Sequence, residues 1–138
     1  MASVGFDSSA QWAGYVGDSR NRAQIGVTGW VADTLASSNF IQPLFTCASF
    51  IPKSPVNVNL FEYCNRKVDA QVSRAIALEA SDPGRANELW ATIDRAIVDQ
   101  AVAVPVTNGL NPVLLSERVG NYQDHPLWGT LFDQLWVK

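Results

Sequence analysis

Histidine is nearly absent from the sequence, and this removes several kinds of catalytic and metal site. The chain has 138 residues and one histidine, His125, which stands between Asp124 and Pro126 in a predicted turn. A Ser-His-Asp hydrolase would have to use His125, and a metal site needs several convergent ligands. The sequence also lacks a phosphate-binding glycine loop and a nucleophile elbow. We therefore expect a packing or surface role for His125, no catalytic residues, no metal and no cofactor.

Long apolar runs and basic clusters are missing as well. No run of about 18 or more apolar residues exists, so no membrane span is predicted. The formal net charge is -3 and the basic residues are scattered among acids, so no nucleic acid partner is expected. Residues 1–7 lack the charged and apolar regions of a signal peptide, and none is expected in this chain. With 47% hydrophobic residues, residues 1–138 can form a single domain with a core.

Only two cysteines are present, Cys47 and Cys64, and their pairing is open at this point. They fit either two free buried thiols of a cytosolic protein or one disulfide of an exported protein. Residues 48–63 between them contain Pro52 and Pro55 and predict a long irregular loop. Such loops in compact domains are usually functional or cross-linked. Because the cysteines flank the loop, a disulfide is favoured.

An apolar stretch at residues 23–31 predicts a strand. Its sequence, AQIGVTGWV, combines β-branched residues with glycines and is typical of a buried strand that ends near Trp30. Asp33 follows this predicted end, where ligands gather in open α/β sheets. A carboxylate beside a large aromatic ring can pair with a ligand ammonium group. The alternative is that Asp33 caps a helix or braces a loop, and the residue pattern alone favours that alternative.

Three helices are predicted after this strand. The first begins at Ser37–Asn39 and is limited by Pro43, which helices tolerate only in their first turn. Asn65 is the predicted N-cap of the second, and Asp82 followed by Pro83 predicts the start of the third. The apolar residues of the last two helices follow helical spacing and are expected to form the core. They are Val68, Val72, Ala75, Ile76, Ala86, Leu89, Trp90, Ile93 and Ile97.

Short extended segments are expected to complete the chain. Residues 102–106 predict an edge strand because of their internal proline. Residues 111–119 predict another extended segment, and 131–137 a strand or short helix, with a turn-rich connector at 120–129. This order of elements favours the α/β class, with a mixed sheet and flanking helices.

Four segments, in order along the chain, carry a family resemblance. They are GWVADTLASSNFIQPLFTC, EYCNRKVDAQVSRA, SDPGRANELWATIDRAIVDQAVAVPV and SERVGNYQDHPLWGTLFDQLWV. They resemble blocks of the family 5 extracellular solute-binding proteins of ABC importers, which include oligopeptide-, dipeptide- and nickel-binding proteins. The last segment is similar to actinobacterial members in particular. The resemblance covers about residues 12–138, and four blocks in the right order make it specific.

The resemblance implies a fold and a domain organisation. The chain would be part of one lobe of a periplasmic-binding-protein type II-like fold, with about 1–107 in lobe II and about 108–138 returning toward lobe I. Members of this family have two lobes that close on a ligand. The resemblance also implies an ABC permease as partner, and an extracellular or cell-envelope location, periplasmic or as a lipoprotein.

The resemblance also implies roles for individual residues. Asp33 matches the aspartate that pairs with the α-amino group of the ligand in peptide binders. Trp30 and the backbone of Val31 and Ala32 match the strand edge that lines the cleft. The sequence departs from the family after Asp33, where the tyrosine and prolines of many members are absent, so the solute is not named by the sequence.

Cys47 and Cys64 match the cysteines that form a disulfide in dipeptide-type members. The leading interpretation is therefore the C-terminal part of a substrate-binding component for peptides or related small solutes, without catalysis. The alternative is an isolated, non-binding fragment that acts as a structural or self-associating module. Its missing lobe would expose apolar faces, with Trp128 and Trp136 as anchors of a homo-oligomer.

Overall fold

The chain has a mixed α/β architecture in which the helices come first and the strands last. The computed structural model describes residues 5–107, 109 and 112–138. Within that part, the helices are α1 Ser9–Gly17, α2 Ser38–Phe45, α3 Arg66–Glu79 and α4 Pro83–Val98. The strands are β1 Val119–Gly120, β2 Asp124–His125, β3 Gly129–Thr130 and β4 Trp136–Val137. Short 3-10 helices lie at Ser19–Asn21, Cys47–Ser49 and Phe132–Gln134.

The hairpin of α3 and α4 is the main packing unit, and its capping was predicted correctly. The side chain of Asn65 accepts a hydrogen bond from the backbone nitrogen of Lys67, and that of Asp82 accepts one from Arg85. Each cap satisfies a backbone donor that has no partner inside the helix. Pro83 occupies the first turn of α4, where its missing N–H costs nothing.

A small apolar core joins this hairpin to α2. Its buried residues are Ile41, Leu44, Phe45, Val68, Val72, Ala75, Ala86, Trp90, Ile93 and Ile97. The predicted stripes on α3 and α4 are therefore confirmed with two exceptions: Leu89 is only partly buried against the core, and Ile76 is 36% exposed. The ring of Phe61 stacks on Phe45 with 4.8 Å between centroids, which extends the core into the loop before α3.

The predicted buried strand at residues 23–31 is wrong. These residues carry no regular secondary structure and form no ladder with any described part of the chain. Ile25 and Val27 are 79% and 82% exposed. A strand requires a neighbouring strand to satisfy its backbone groups and cover its side chains. The described residues supply no such neighbour, so Asp33 follows an unpaired irregular segment and not a sheet strand.

The C-terminal region forms two small antiparallel sheets instead of the expected mixed sheet. Val119 pairs with Val137 in one, and Asp124 pairs with Thr130 in the other. The predicted edge strand at 102–106 is not formed, and residues 108, 110 and 111 of the predicted return segment lie outside the described residues. No described residue from 101 onward is buried. Strands of two residues form sheets that are too small to bury a core of their own.

Across the described ranges, no helix combines the length and apolarity that a bilayer crossing demands. The expected type II binding-protein lobe and its boundary near residue 108 stay predictions.

Candidate functional site

The candidate site is built on the segment that leads into α2. Trp30 is half-buried and packs against the core, while its indole Nε1 donates to the backbone oxygen of Asn39 at 3.2 Å. In an α-helix, the oxygen of Asn39 would accept from the nitrogen of residue 43. Residue 43 is proline and has no N–H to give. Pro43 lies inside α2, beyond the first turn to which the sequence confined it. It leaves the Asn39 carbonyl available for Trp30.

Asp33 is held by its backbone and not by its carboxylate. Its N–H donates to Oδ1 of Asn39 at 2.6 Å, and the N–H of Thr34 approaches the same oxygen at 3.4 Å. The side chain of Asp33 is exposed, and no hydrogen bond or ion pair from a described residue reaches its carboxylate. Ser37, and not Asp33, occupies the N-cap position of α2. A carboxylate without a partner can accept hydrogen bonds from a cationic ligand.

Two depressions flank this segment. The larger, of about 1130 Å³, lies between α1, the segment at 27–30 and the loop at 57–61, and Trp30 forms part of its wall. The smaller, of about 400 Å³, is bordered by Val31 and Ala32 together with Pro126 and Leu127. The four predicted ligand residues are contiguous in the chain but do not share one depression. Trp30 lines the larger, Val31 and Ala32 line the smaller, and Asp33 lines neither.

The loop before α3 is fixed by a disulfide and by buried asparagines. Cys47 and Cys64 form the expected disulfide, with 4.2 Å between their Cα atoms. The N–H of Cys47 also donates to Oδ1 of Asp69 in α3 at 3.1 Å. The loop is thus tied to the core covalently and by a hydrogen bond.

Asn59, which is fully buried, organises the same loop from inside. Its Nδ2 donates to the backbone oxygens of Tyr63 and Thr46 at 2.8 and 3.1 Å, and its Oδ1 accepts from the Tyr63 nitrogen at 3.3 Å. Asn57 joins the loop to α1 by donating to the backbone oxygen of Gly17 at 3.2 Å. The sequence predicted no role for Asn57 or Asn59. Asparagines between apolar residues in a proline-containing loop were the available signal, because such side chains replace missing backbone partners.

His125 braces a turn. Its Nδ1 accepts hydrogen bonds from the backbone nitrogens of Leu127 and Trp128 at 3.1 and 3.3 Å, and its ring stacks on that of Trp128. This arrangement accounts for His125 as the packing residue expected from the sequence. In the part of the chain that the structure describes, no three metal-ligating side chains converge.

One clear charge effect occurs at the end of α1. Asp18 accepts from the guanidinium group of Arg20 and from its backbone N–H. The hydrogen bond from the Arg20 side chain lowers the pKa of Asp18 below its usual value. The same contact raises the pKa of Arg20. This pair holds the 3-10 helix after α1 and lies apart from Asp33.

Comparison with known proteins returned one informative relative. The chain is 29% identical over 110 residues to "Probable di/tripeptide-binding protein 5" of Pseudomonas aeruginosa (strain UCBPP-PA14). That match covers 80% of this chain and 20% of the relative, so the chain spans about a fifth of the relative's length. No family model matches the sequence, and no solved structure matches it.

The similarity is distant and partial. It supports a relationship to the expected family of solute-binding proteins. It gives no support to the expected similarity to actinobacterial members. The ligand roles of Trp30, Val31, Ala32 and Asp33 stay predictions.

Proposed function

We propose that the chain is the C-terminal part of the substrate-binding component of an ABC importer for peptides or related small solutes, and that it binds without catalysis. The observation that carries this proposal is the exposed, unpaired carboxylate of Asp33, which is held by its backbone beside Trp30. The similarity to a protein named for di- and tripeptide binding supports the same ligand class.

Asp33 would bind the α-ammonium group of a peptide. Ammonium is a donor of three hydrogen bonds, and a carboxylate accepts from it in a charge-assisted contact that is stronger than a neutral one. The indole of Trp30 offers an apolar face three residues away, in the wall of the larger depression. A cationic amino terminus with an apolar side chain next to it fits this combination.

The backbone of Val31 and Ala32 would recognise the main chain of the ligand. Neither residue belongs to a helix or a strand, and no backbone hydrogen bond to either comes from the described residues. An extended peptide can pair with such a segment as an added strand, which gives affinity without reading the side chains. This explains how one site could accept peptides of varied sequence.

The remainder of a longer protein would supply the opposite wall of the cleft. The chain spans a fifth of the relative's length, and no described residue pairs with the carboxylate of Asp33. In that setting the partners are a peptide and an ABC permease, and the location is the cell envelope or the extracellular space.

Calorimetry on the 138-residue chain tests the proposal with trialanine and with N-acetyl-trialanine, which lacks the ammonium group. We expect trialanine to bind, and Asp33→Asn to weaken its binding about 10- to 100-fold, since hydrogen bonds to charged groups contribute about 1.5–3 kcal/mol. Asp94→Asn is the matched control, because Asp94 is an exposed acid on α4. Equal binding of the two peptides, or equal loss in both variants, would contradict the role of Asp33.

The alternative function is a non-binding fragment that acts as a structural or self-associating module. Its specific support is the exposure of large apolar side chains near the C-terminus, with Leu114 at 98%, Phe132 at 78% and Trp128 at 73%. Apolar surface of this kind marks association sites. Sedimentation velocity over a range of protein concentrations tests it, and a monomer that binds trialanine would refute it.

A further inference from the structure

Two atoms of one residue, Asn39, hold both ends of the candidate ligand segment. Its backbone oxygen accepts from the indole of Trp30, and its side-chain Oδ1 accepts from the N–H of Asp33. We infer that Asn39 is the positioning residue of this site, and that Pro43 makes its carbonyl available for the purpose. The consequence for ligands rests on the proposed function, whereas the positioning itself does not.

The contact between Trp30 and the backbone oxygen of Asn39 depends on Pro43. The carbonyl of Asn39 lies one turn before Pro43 in α2, and the proline nitrogen carries no hydrogen. A helix carbonyl deprived of its donor must find another partner or stay unsatisfied. The indole of Trp30 is that partner, so the defect in the helix creates the docking point for the aromatic ring.

The side-chain half fixes the direction of Asp33. The 2.6 Å contact joins the Asp33 N–H to Asn39 Oδ1, so the backbone turns at Asp33. With its N–H held on the side of α2, Asp33 presents its carboxylate to solvent. Without this contact, the exposed segment before α2 would keep only the Trp30 indole contact and the longer contact from the Thr34 N–H.

Asn39 can perform this role because α2 is anchored. Ile41, Leu44 and Phe45 on the same helix are all buried in the core. The oxygens of Asn39 therefore have fixed positions, and the ligand segment takes its geometry from the core of the protein. A binding group held before the ligand arrives loses less entropy on binding.

Amide hydrogen exchange measured by NMR tests the positioning without any ligand. In Asn39→Ala, the Asp33 amide should exchange about 3- to 10-fold faster, as expected for the loss of one hydrogen bond. Asn39→Asp keeps an acceptor at the same place and should restore slow exchange. Equal exchange of Asp33 in the parent and in Asn39→Ala would overturn the inference, and circular dichroism verifies that α2 is retained in each variant.

The contribution of Pro43 has its own measurement. Pro43→Ala restores an N–H that competes for the Asn39 carbonyl, so the indole proton of Trp30 should exchange about 2- to 10-fold faster. The Asp33 amide should be unchanged in this variant, because its acceptor is the side chain. An unchanged exchange rate of the Trp30 indole proton would contradict this role of Pro43.

Ligand binding then separates positioning from general destabilisation. If Asn39 acts through Asp33, Asn39→Ala should weaken trialanine at least threefold and leave any binding of N-acetyl-trialanine unchanged, with recovery in Asn39→Asp. Equal weakening of both peptides would show a structural effect only. If the parent binds neither peptide, the proposed function fails, while the exchange data still decide the role of Asn39.

Discussion

The indole nitrogen of Trp90 lies 3.1 Å from Oε1 of Glu79, so a hydrogen bond joins the end of α3 to the middle of α4. The other carboxylate oxygen of Glu79 is 3.4 Å from the hydroxyl of Ser38 at the start of α2. One half-buried carboxylate thus meets all three helices of the core. These two contacts explain why an acid is accommodated at the end of α3, next to the core.

Trp90→Phe should lower the free energy of unfolding by about 1–3 kcal/mol, because the substitution removes buried ring area and leaves Glu79 without its donor. Chemical denaturation followed by circular dichroism measures the change. Trp128→Phe is the matched control, since the Trp128 side chain is 73% exposed, and it should change stability by less than about 0.5 kcal/mol. Equal effects of the two substitutions would contradict the structural role of Trp90.

Reduction of the Cys47–Cys64 disulfide should lower stability by about 3 kcal/mol, the value that chain entropy gives for a loop of this length. Cys64 is exposed, so a mild reductant should reach the bond without prior unfolding. Denaturation curves with and without reductant measure the loss. The double variant Cys47→Ser, Cys64→Ser should match the reduced parent and be insensitive to reductant, and a stable parent after reduction would refute the prediction.

Asn59→Ala should destabilise the protein by about 1–3 kcal/mol, because buried carbonyls of Thr46 and Tyr63 lose their donor. Asn59→Asp should cost more, since a buried carboxylate faces the same two carbonyls. Asn87→Ala, an exposed site on α4, is the control and should be nearly neutral. Thermal unfolding of the three variants checks the order, and a neutral Asn59→Ala would contradict it.

Asp18 gives a prediction about acid stability. The guanidinium of Arg20 holds the pKa of Asp18 below its usual value of 3.8, so the folded state favours the ionised form. Its contribution to stability is present above pH 3.8 and is lost as the pH falls through the lower folded value. Asp18→Asn should therefore be less stable than the parent at neutral pH, and the difference should shrink in acid. Urea denaturation over a pH series measures it, and a constant difference would exclude this linkage.

The helices could be predicted from the sequence because their signals are local. Asn65 and Asp82 cap through nitrogens two and three residues away, and the apolar stripe follows from helical spacing alone. The segment at 23–31 could not be predicted in the same way. Its apolar residues are typical of a buried strand, but burial depends on neighbours that are remote in sequence, and those are not among the described residues.

In the candidate site, the sequence alone singles out Trp30 and Asp33, an aromatic ring and an acid near a predicted strand end. Their ligand roles stay predictions. The contacts that hold them come from Asn39, whose backbone carbonyl is available because Pro43 has no N–H. The sequence indicated Asn39 as a cap and Pro43 as a limit on helix length. It does not reveal which donors the two oxygens of Asn39 will receive.

Among the residues that the structure describes, the ten apolar side chains buried in the core all lie between residues 41 and 97. The hairpin of α3 and α4 closes only a small loop when it packs, and the Cys47–Cys64 disulfide shortens the path between α2 and α3. Proteins rich in local contacts fold fast. The core can therefore assemble before the C-terminal sheets have formed. The ligand segment follows as soon as α2 docks, because its two hydrogen-bond acceptors arrive together on that helix.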